Sequence, residues 1–128
     1  MQSSSLTTRI ATLFAAIAAV FGLTLGLSGC APTTIDMNTV DMVIDVRTPA
    51  EFSTGHLEGA VNIDWEGTDF AAQIGQLDPT GHYVLYCRSG NRAGQAKAAM
   101  EQSGFAHVDN LGSIEQAGQT TGLPVVTN

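Results

Sequence analysis

The stretch "VLYCRSGNRAGQAKAAM", residues 84–100, sets one cysteine where an apolar run breaks into a loop of Arg, Ser, Gly and Asn. A thiolate is the reactive form of cysteine, and with an ordinary pKa of about 8.5 the group is mostly protonated at neutral pH. Reactivity at Cys87 therefore needs a local source of positive potential. With a strand ending at Tyr86 and a helix starting near Asn91, a tight turn through Gly90 can aim several backbone N–H groups at the sulfur, and the amino end of the helix adds partial positive charge. Arg88 and Arg92 then stand at the rim of this nest with two full charges. Such a mouth attracts a small anion on an otherwise acidic surface.

Phosphate, arsenate and thiosulfate chemistry all suit a reactive cysteine beside an anion site. Four residues lie between Cys87 and Arg92, one fewer than in the loops of cysteine phosphatases, and the smaller loop suits a sulfur atom better than a tetrahedral oxyanion.

The elements that position this loop read as alternating strands and helices. "VDMVIDV", Val40–Val46, is apolar and rich in β-branched residues and runs into "RTP", as a buried strand reaching a loop does. "GAVNI", Gly59–Ile63, and "HYVLY", His82–Tyr86, share its character, and "HVDNL" from His107 is a weaker fourth. Between them "GTDFAAQIGQL", with Asp69 as a first-turn acid, and "NRAGQAKAAMEQSG", stopped by Gly104, predict helices. Ala93, Ala96 and Met100 share one face of the second helix and read as ordinary core, with Lys97 and Gln102 toward solvent. The order predicts an α/β domain with a mostly parallel central sheet covered by helices on both faces. Ligands of such sheets gather beyond the carboxyl ends of the strands, where the Cys87–Arg92 loop falls.

The amino end is set apart from this domain. "MQSSSLTTR" carries one positive charge, Ile10–Leu27 is almost wholly apolar, and "LSGC" follows; this order reads as a targeting segment. The last four residues resemble the lipobox of bacterial lipoproteins, in which cleavage falls before the cysteine and the cysteine carries the lipid. That resemblance implies a signal peptide over 1–29, lipidation of Cys30, a short tether over 30–38 and a domain over 39–128. An uncleaved membrane helix is the alternative, since 18 apolar residues lie at the short end of what spans a bilayer, roughly 17–25. In both cases the domain faces the periplasm or the exterior of a bacterial cell envelope. From Cys30 onward four basic side chains face twelve acidic ones, which excludes nucleic acid as a natural partner. Cys30 and Cys87 are the two cysteines of the chain, so a lipidated Cys30 leaves Cys87 a free thiol, and an exposed one of low pKa would be prone to oxidation.

At "YCRSGNRA" the chain resembles the active loop of the rhodanese family of single-domain sulfurtransferases. "IDVRTPAEFSTGHLEGAVNI", Ile44–Ile63, resembles the first signature of that family and "GLPVV" its closing segment. The resemblance implies a rhodanese-like three-layer domain in which Cys87 attacks the outer sulfur of a small anionic donor such as thiosulfate, becomes a persulfide, and passes the sulfur to cyanide, a thiol or a redox protein. It further implies that the loop from Arg88 through Ser89, Gly90 and Asn91 to Arg92 holds the persulfide on its amides, with the Arg88 and Arg92 side chains on the donor. No metal or organic cofactor is implied. A sulfur-carrying or binding module without turnover is the alternative. Asp45, Arg47, His56 and Glu58 read as structural support, the charged three as a network that fixes loops and His56 as a turn residue. Trp65 reads as core, and His82 and His107 are weaker candidates for chemistry than His56. The chain departs from the family pattern at Ala93, Ser113 and Ala117, where Ser, Gly and Trp are usual, so the carboxyl-terminal packing is expected to differ.

Overall fold

Residues 33–127, which a computed structural model describes, form a layered α/β domain. The predicted signal peptide and Cys30 lie outside the described residues. Four parallel strands make the central sheet in the order β3-β1-β4-β5: β1 Met42–Asp45, β3 Val61–Asn62, β4 His82–Cys87 and β5 His107–Ser113. Two short strands, β2 His56–Leu57 and β6 Val125–Val126, pair antiparallel beside it.

Period-2 alternation along β4 explains the layering, because successive side chains leave opposite faces of a strand. Tyr83, Leu85 and Cys87 join Ile44, Val46, Ile74, Ala96 and Met100 in a core on one face. That face is covered by α2 Phe70–Ile74 and α3 Asn91–Gln102. Val84 and Tyr86 join Val43, Leu57 and Ala117 on the other, under α4 Ile114–Thr121. Ile35 and Met37 of the polar lead also pack there, and the Ile35 amide donates to the Thr120 carbonyl at 3.1 Å. The expected stripe of Ala93, Ala96 and Met100 is fully buried. With Ala117 also buried, a small residue fills the place of a large ring.

Two helices emerge where the spacing of apolar residues gave none. α1, Pro49–Thr54, starts with a capping box in which the Thr48 hydroxyl accepts from the Glu51 amide while Glu51 accepts from the Thr48 amide. α4 is capped in the same way by Ser113 and Gln116. Reciprocal caps satisfy orphan amide donors at a helix start, which stabilises helices as short as these. Asp69 proves to be the N-cap position of α2 rather than a first-turn acid, and its side chain makes no capping hydrogen bond. The weak fourth strand becomes the longest, because His107–Ser113 continues past Leu111 to meet Cys87.

Candidate active site

Cys87 is the last residue of β4, and its side chain lies under the first turn of α3. The N-cap of that helix is Gly90, whose φ of 92° is left-handed and which offers no side-chain acceptor. Amides that a Ser or Asp cap would otherwise occupy are thus left for the sulfur. The Gly90 N–H donates to Cys87 Sγ at 2.9 Å. Burial pushes the thiol up, but the amides of Ala93, Ser89, Gly90 and Arg92 outweigh it and hold its pKa below the ordinary cysteine value. Ala93 thus serves the sulfur through its amide and needs no hydroxyl.

The loop is tied down from β5. Between Leu85 and Cys87 the pairing with β5 shifts, with Asn110 opposite Leu85 and Ser113 opposite Cys87. This extra residue on β5 is a bulge, a device that re-aims side chains beside functional loops. Asn110 Nδ2 donates to the Gly90 carbonyl at 2.9 Å while its Oδ1 accepts from the Gly112 amide. Gly112 is required here: φ is 85°, and a Cβ would come within 2.2 Å of the Gln116 side-chain oxygen.

The two loop arginines differ. Arg88 is exposed at the rim. Arg92 is held by Glu51, with Nη1 to Oε2 at 2.7 Å and Nη2 to Oε1 at 2.9 Å, and Nη1 also reaches Glu66 at 3.2 Å. The hydrogen bond from Arg92 is the largest cause that lowers the Glu51 pKa to about 2, and the same bond raises that of Arg92. Arg92 is therefore a charge-paired tie between α1 and the start of α3, a role that stands beside the donor contact the resemblance implies for it. The expected two-arginine mouth thus holds an exposed Arg88 and a carboxylate-paired Arg92. Ser89 and Asn91 lie exposed; Ser89 contributes its amide, and Asn91 Oδ1 accepts from Gln95 Nε2 at 2.9 Å within the helix.

Of the residues read as structural support, Asp45, Arg47 and His56 are buried and Glu58 is exposed. Asp45, fully buried, binds Arg47 through both oxygens, with Nη2 to Oδ2 at 2.7 Å, and Arg47 Nη2 also donates to the Gly55 carbonyl at 2.6 Å. Burial works against the Arg47 charge, but Asp45 more than offsets it and the pKa is raised. His56 is buried, stacks on Phe52 with ring centroids 3.7 Å apart, and shares a proton between Nδ1 and the Phe52 carbonyl at 2.9 Å. The carbonyl can only accept, so Nδ1 carries that proton. Glu58 stands apart: it is exposed, and among the described residues its carboxylate enters none of these contacts. Glu51 takes the place expected of Glu58, because α1 carries its side chain toward α3 whereas Glu58 sits on the outward turn after β2. Its T-x-x-E spacing was visible as a capping signal, but its reach to Arg92, 41 residues on, was not.

Trp65 packs on the core against Phe70, ring centroids 5.0 Å apart. His82 and His107 lie at the far ends of β4 and β5, where His82 Nε2 meets Asp109 at 2.8 Å. Cys87 itself is fully buried rather than exposed. A cavity of about 330 Å³ lies elsewhere, lined by Ala71, Ile74, Leu77, Pro79 and Phe105, by the amino ends of β4 and β5.

A parallel α/β sheet whose central strand delivers a cysteine into a ring of helix-start amides defines a thiolate-cradling domain. Residues 33–117 match the Rhodanese-like domain family, and the chain belongs to that family. It is 32% identical over 72 residues to the protein named Thiosulfate sulfurtransferase PspE of Escherichia coli, covering 56% of this chain and 69% of that one. A Sulfurtransferase of Allochromatium vinosum is 33% identical over 85 residues, 66% of this chain and 78% of its own. Among solved structures, a rhodanese with anions from E. coli superposes with a TM-score of 0.56 at 29% identity, covering 68% of this chain and 98% of its own.

Proposed function

We propose that this chain is a sulfurtransferase that carries a sulfane sulfur on Cys87. The observation that supports the reading best is the set of four amides, from Ser89, Gly90, Arg92 and Ala93, that stabilise negative charge on the buried sulfur. In the first half-reaction the Cys87 thiolate attacks the outer sulfur of thiosulfate, the donor S–S bond breaks, and sulfite leaves with the electron pair. The product is a persulfide whose outer sulfur carries the negative charge that the loop amides and Arg88 can hold. In the second half-reaction cyanide or a thiolate attacks that outer sulfur and Cys87 returns as thiolate. Proton transfer by a side chain is not needed at either step, which agrees with the scaffold position of His56. The names of the relatives support thiosulfate as a donor class; a thiol or redox protein is the proposed acceptor.

Steady-state transfer from thiosulfate to cyanide tests the reading. Turnover is expected from the wild-type chain and its loss from Cys87→Ser; equal activity in both would overturn the reading. A second reading, a sulfur-carrying or binding module without turnover, draws on the complete burial of Cys87. It predicts partner binding without thiocyanate formation. Phosphatase chemistry is disfavoured by the four-residue spacing from Cys87 to Arg92 and predicts turnover of an aryl phosphate instead.

The proposed place of the chain is a bacterial cell envelope, with lipid on Cys30 as the membrane anchor and the domain facing the periplasm or exterior. The "LSGC" motif at 27–30 supports this. Fatty-acid label incorporated by the wild-type chain and lost in Cys30→Ala is the expected result.

A further inference from the structure

The charges around Cys87 do not make a simple anion trap. Among the described residues four side chains are basic, and three are committed: Arg47 to Asp45, Lys97 to Glu101, and Arg92 to Glu51 and Glu66. Arg88 is the fourth, and it shares its neighbourhood with Glu115 at the start of α4. The Glu115 carboxylate is held below its usual range by its own amide, by the Ser113 hydroxyl and, after these, by Arg47 and Arg88. At the rim, then, Arg88 and Arg92 stand against Glu51, Glu66 and Glu115. All five follow the carboxyl ends of β1, β3, β4 or β5, the end of the sheet at which Cys87 closes β4.

Glu51 and Glu66 have different reasons to be there. Glu51 also caps α1, and the fold uses it. Glu66 caps no helix, its side chain is 57% exposed, and the one side-chain contact it makes among the described residues is with Arg92 Nη1, which Glu51 already satisfies. A carboxylate that adds little to the fold and pairs with a cation whose own amide faces the thiol acts on whatever approaches the thiol.

We infer that Glu66 is a specificity determinant of the Cys87 site: it masks Arg92, disfavours donors that bring negative charge, and favours sulfur presented on a neutral or basic molecule, a persulfide on a basic protein surface above all. Thiosulfate is then an assay donor of low affinity. The inference rests on the reading of Cys87 as the sulfur acceptor, but its test needs the thiol alone.

The test compares alkylation of Cys87 in the full-length chain by neutral iodoacetamide and anionic iodoacetate, followed on the peptide that carries Cys87. Both reagents consume the same thiolate, so the ratio of their rates cancels any change in its population. At about 10 mM ionic strength, where the Debye length is roughly 30 Å, the neutral-to-anionic rate ratio is expected to fall about twofold in Glu66→Gln. That is the size of change a unit charge makes when it acts over roughly 8 Å of a water-like medium. In Glu66→Lys the fall is about fourfold, and at about 1 M salt both effects vanish. An unchanged ratio at low salt, or a change that persists at high salt, overturns the inference. A wild-type chain that shows the charge discrimination and yet transfers no sulfur counts against the proposed function and leaves this inference standing.

Discussion

Two arginine–carboxylate clamps sit at the same edge of the sheet and do different work. Arg47 and Asp45 are sealed, with side-chain exposures of 8% and 0%, and they join the end of β1 to the Gly55 carbonyl after α1. Arg92, Glu51 and Glu66 are open, at 20%, 32% and 57%, and they join α1 to the residue whose amide faces Cys87. Chemistry is shared and burial is not. A sealed pair is costly to break, because removing one partner strands the other charge in the core, whereas an open pair adds little stability but can still set the position and potential of what it touches. Stability and reactivity are thus assigned to neighbouring copies of one interaction.

The difference can be broken most severely on the sealed side. Asp45→Ala is expected to destabilise the domain by about 3–5 kcal/mol, read as a lower urea midpoint. A loss under about 1 kcal/mol would mean that the Arg47 clamp is as expendable as a surface pair. Tyr86→Phe comes next. The Tyr86 hydroxyl accepts from the buried Leu57 amide at 3.0 Å and its ring lies under Arg47, and burial raises its pKa. Deleting the hydroxyl orphans that amide at a cost of about 1–3 kcal/mol, with no change in the pH dependence of Cys87 alkylation.

On the open side the balance reverses. Glu51→Ala removes a helix cap and an exposed ion pair, about 1 kcal/mol of stability, yet sulfur transfer is expected to fall roughly tenfold as Arg92 and its amide lose their anchor. Equal losses in stability and rate across Asp45→Ala and Glu51→Ala would erase the contrast. Acid sharpens it with a smaller effect. The Glu51 pKa falls on folding from 4.5 to about 2, so its contribution is complete above the unfolded value and is lost as pH drops from 4.5 toward 2. Solvent screening holds that loss to about 1 kcal/mol. Stability measured down this range should fall in the wild type and stay flatter in Glu51→Gln.

The sheet and the cradle were legible in the sequence for physical reasons. Runs such as "VDMVIDV" and "HYVLY" are long enough to show a buried strand, and Gly90 between a strand and a helix marks a left-handed turn. α1 was missed because it buries no residue, so it leaves no apolar period to read. Its start signal, Thr48-x-x-Glu51, was present and unused, as was Ser113-x-x-Gln116 for α4. The pairing of Glu51 with Arg92 and the bulge that brings Asn110 to Gly90 depend on how distant segments meet, and residue spacing does not contain that. Burial of Cys87 came from the same source: a loop that looks open in sequence closes over its sulfur once α3 packs. Glu58 and Glu51 lie in one motif, and the turn after β2 that points Glu58 outward is set by pairing with β6.

The most direct measurement is the intact mass of the purified chain before and after thiosulfate, and again after cyanide, with Cys87→Ser alongside. The account predicts a gain of one sulfur, located on Cys87, that cyanide removes as thiocyanate and that Cys87→Ser never acquires. A folded wild-type chain with a free Cys87 thiol that gains no mass, or gains it equally in Cys87→Ser, would contradict the claim that this amide-cradled thiolate carries sulfur.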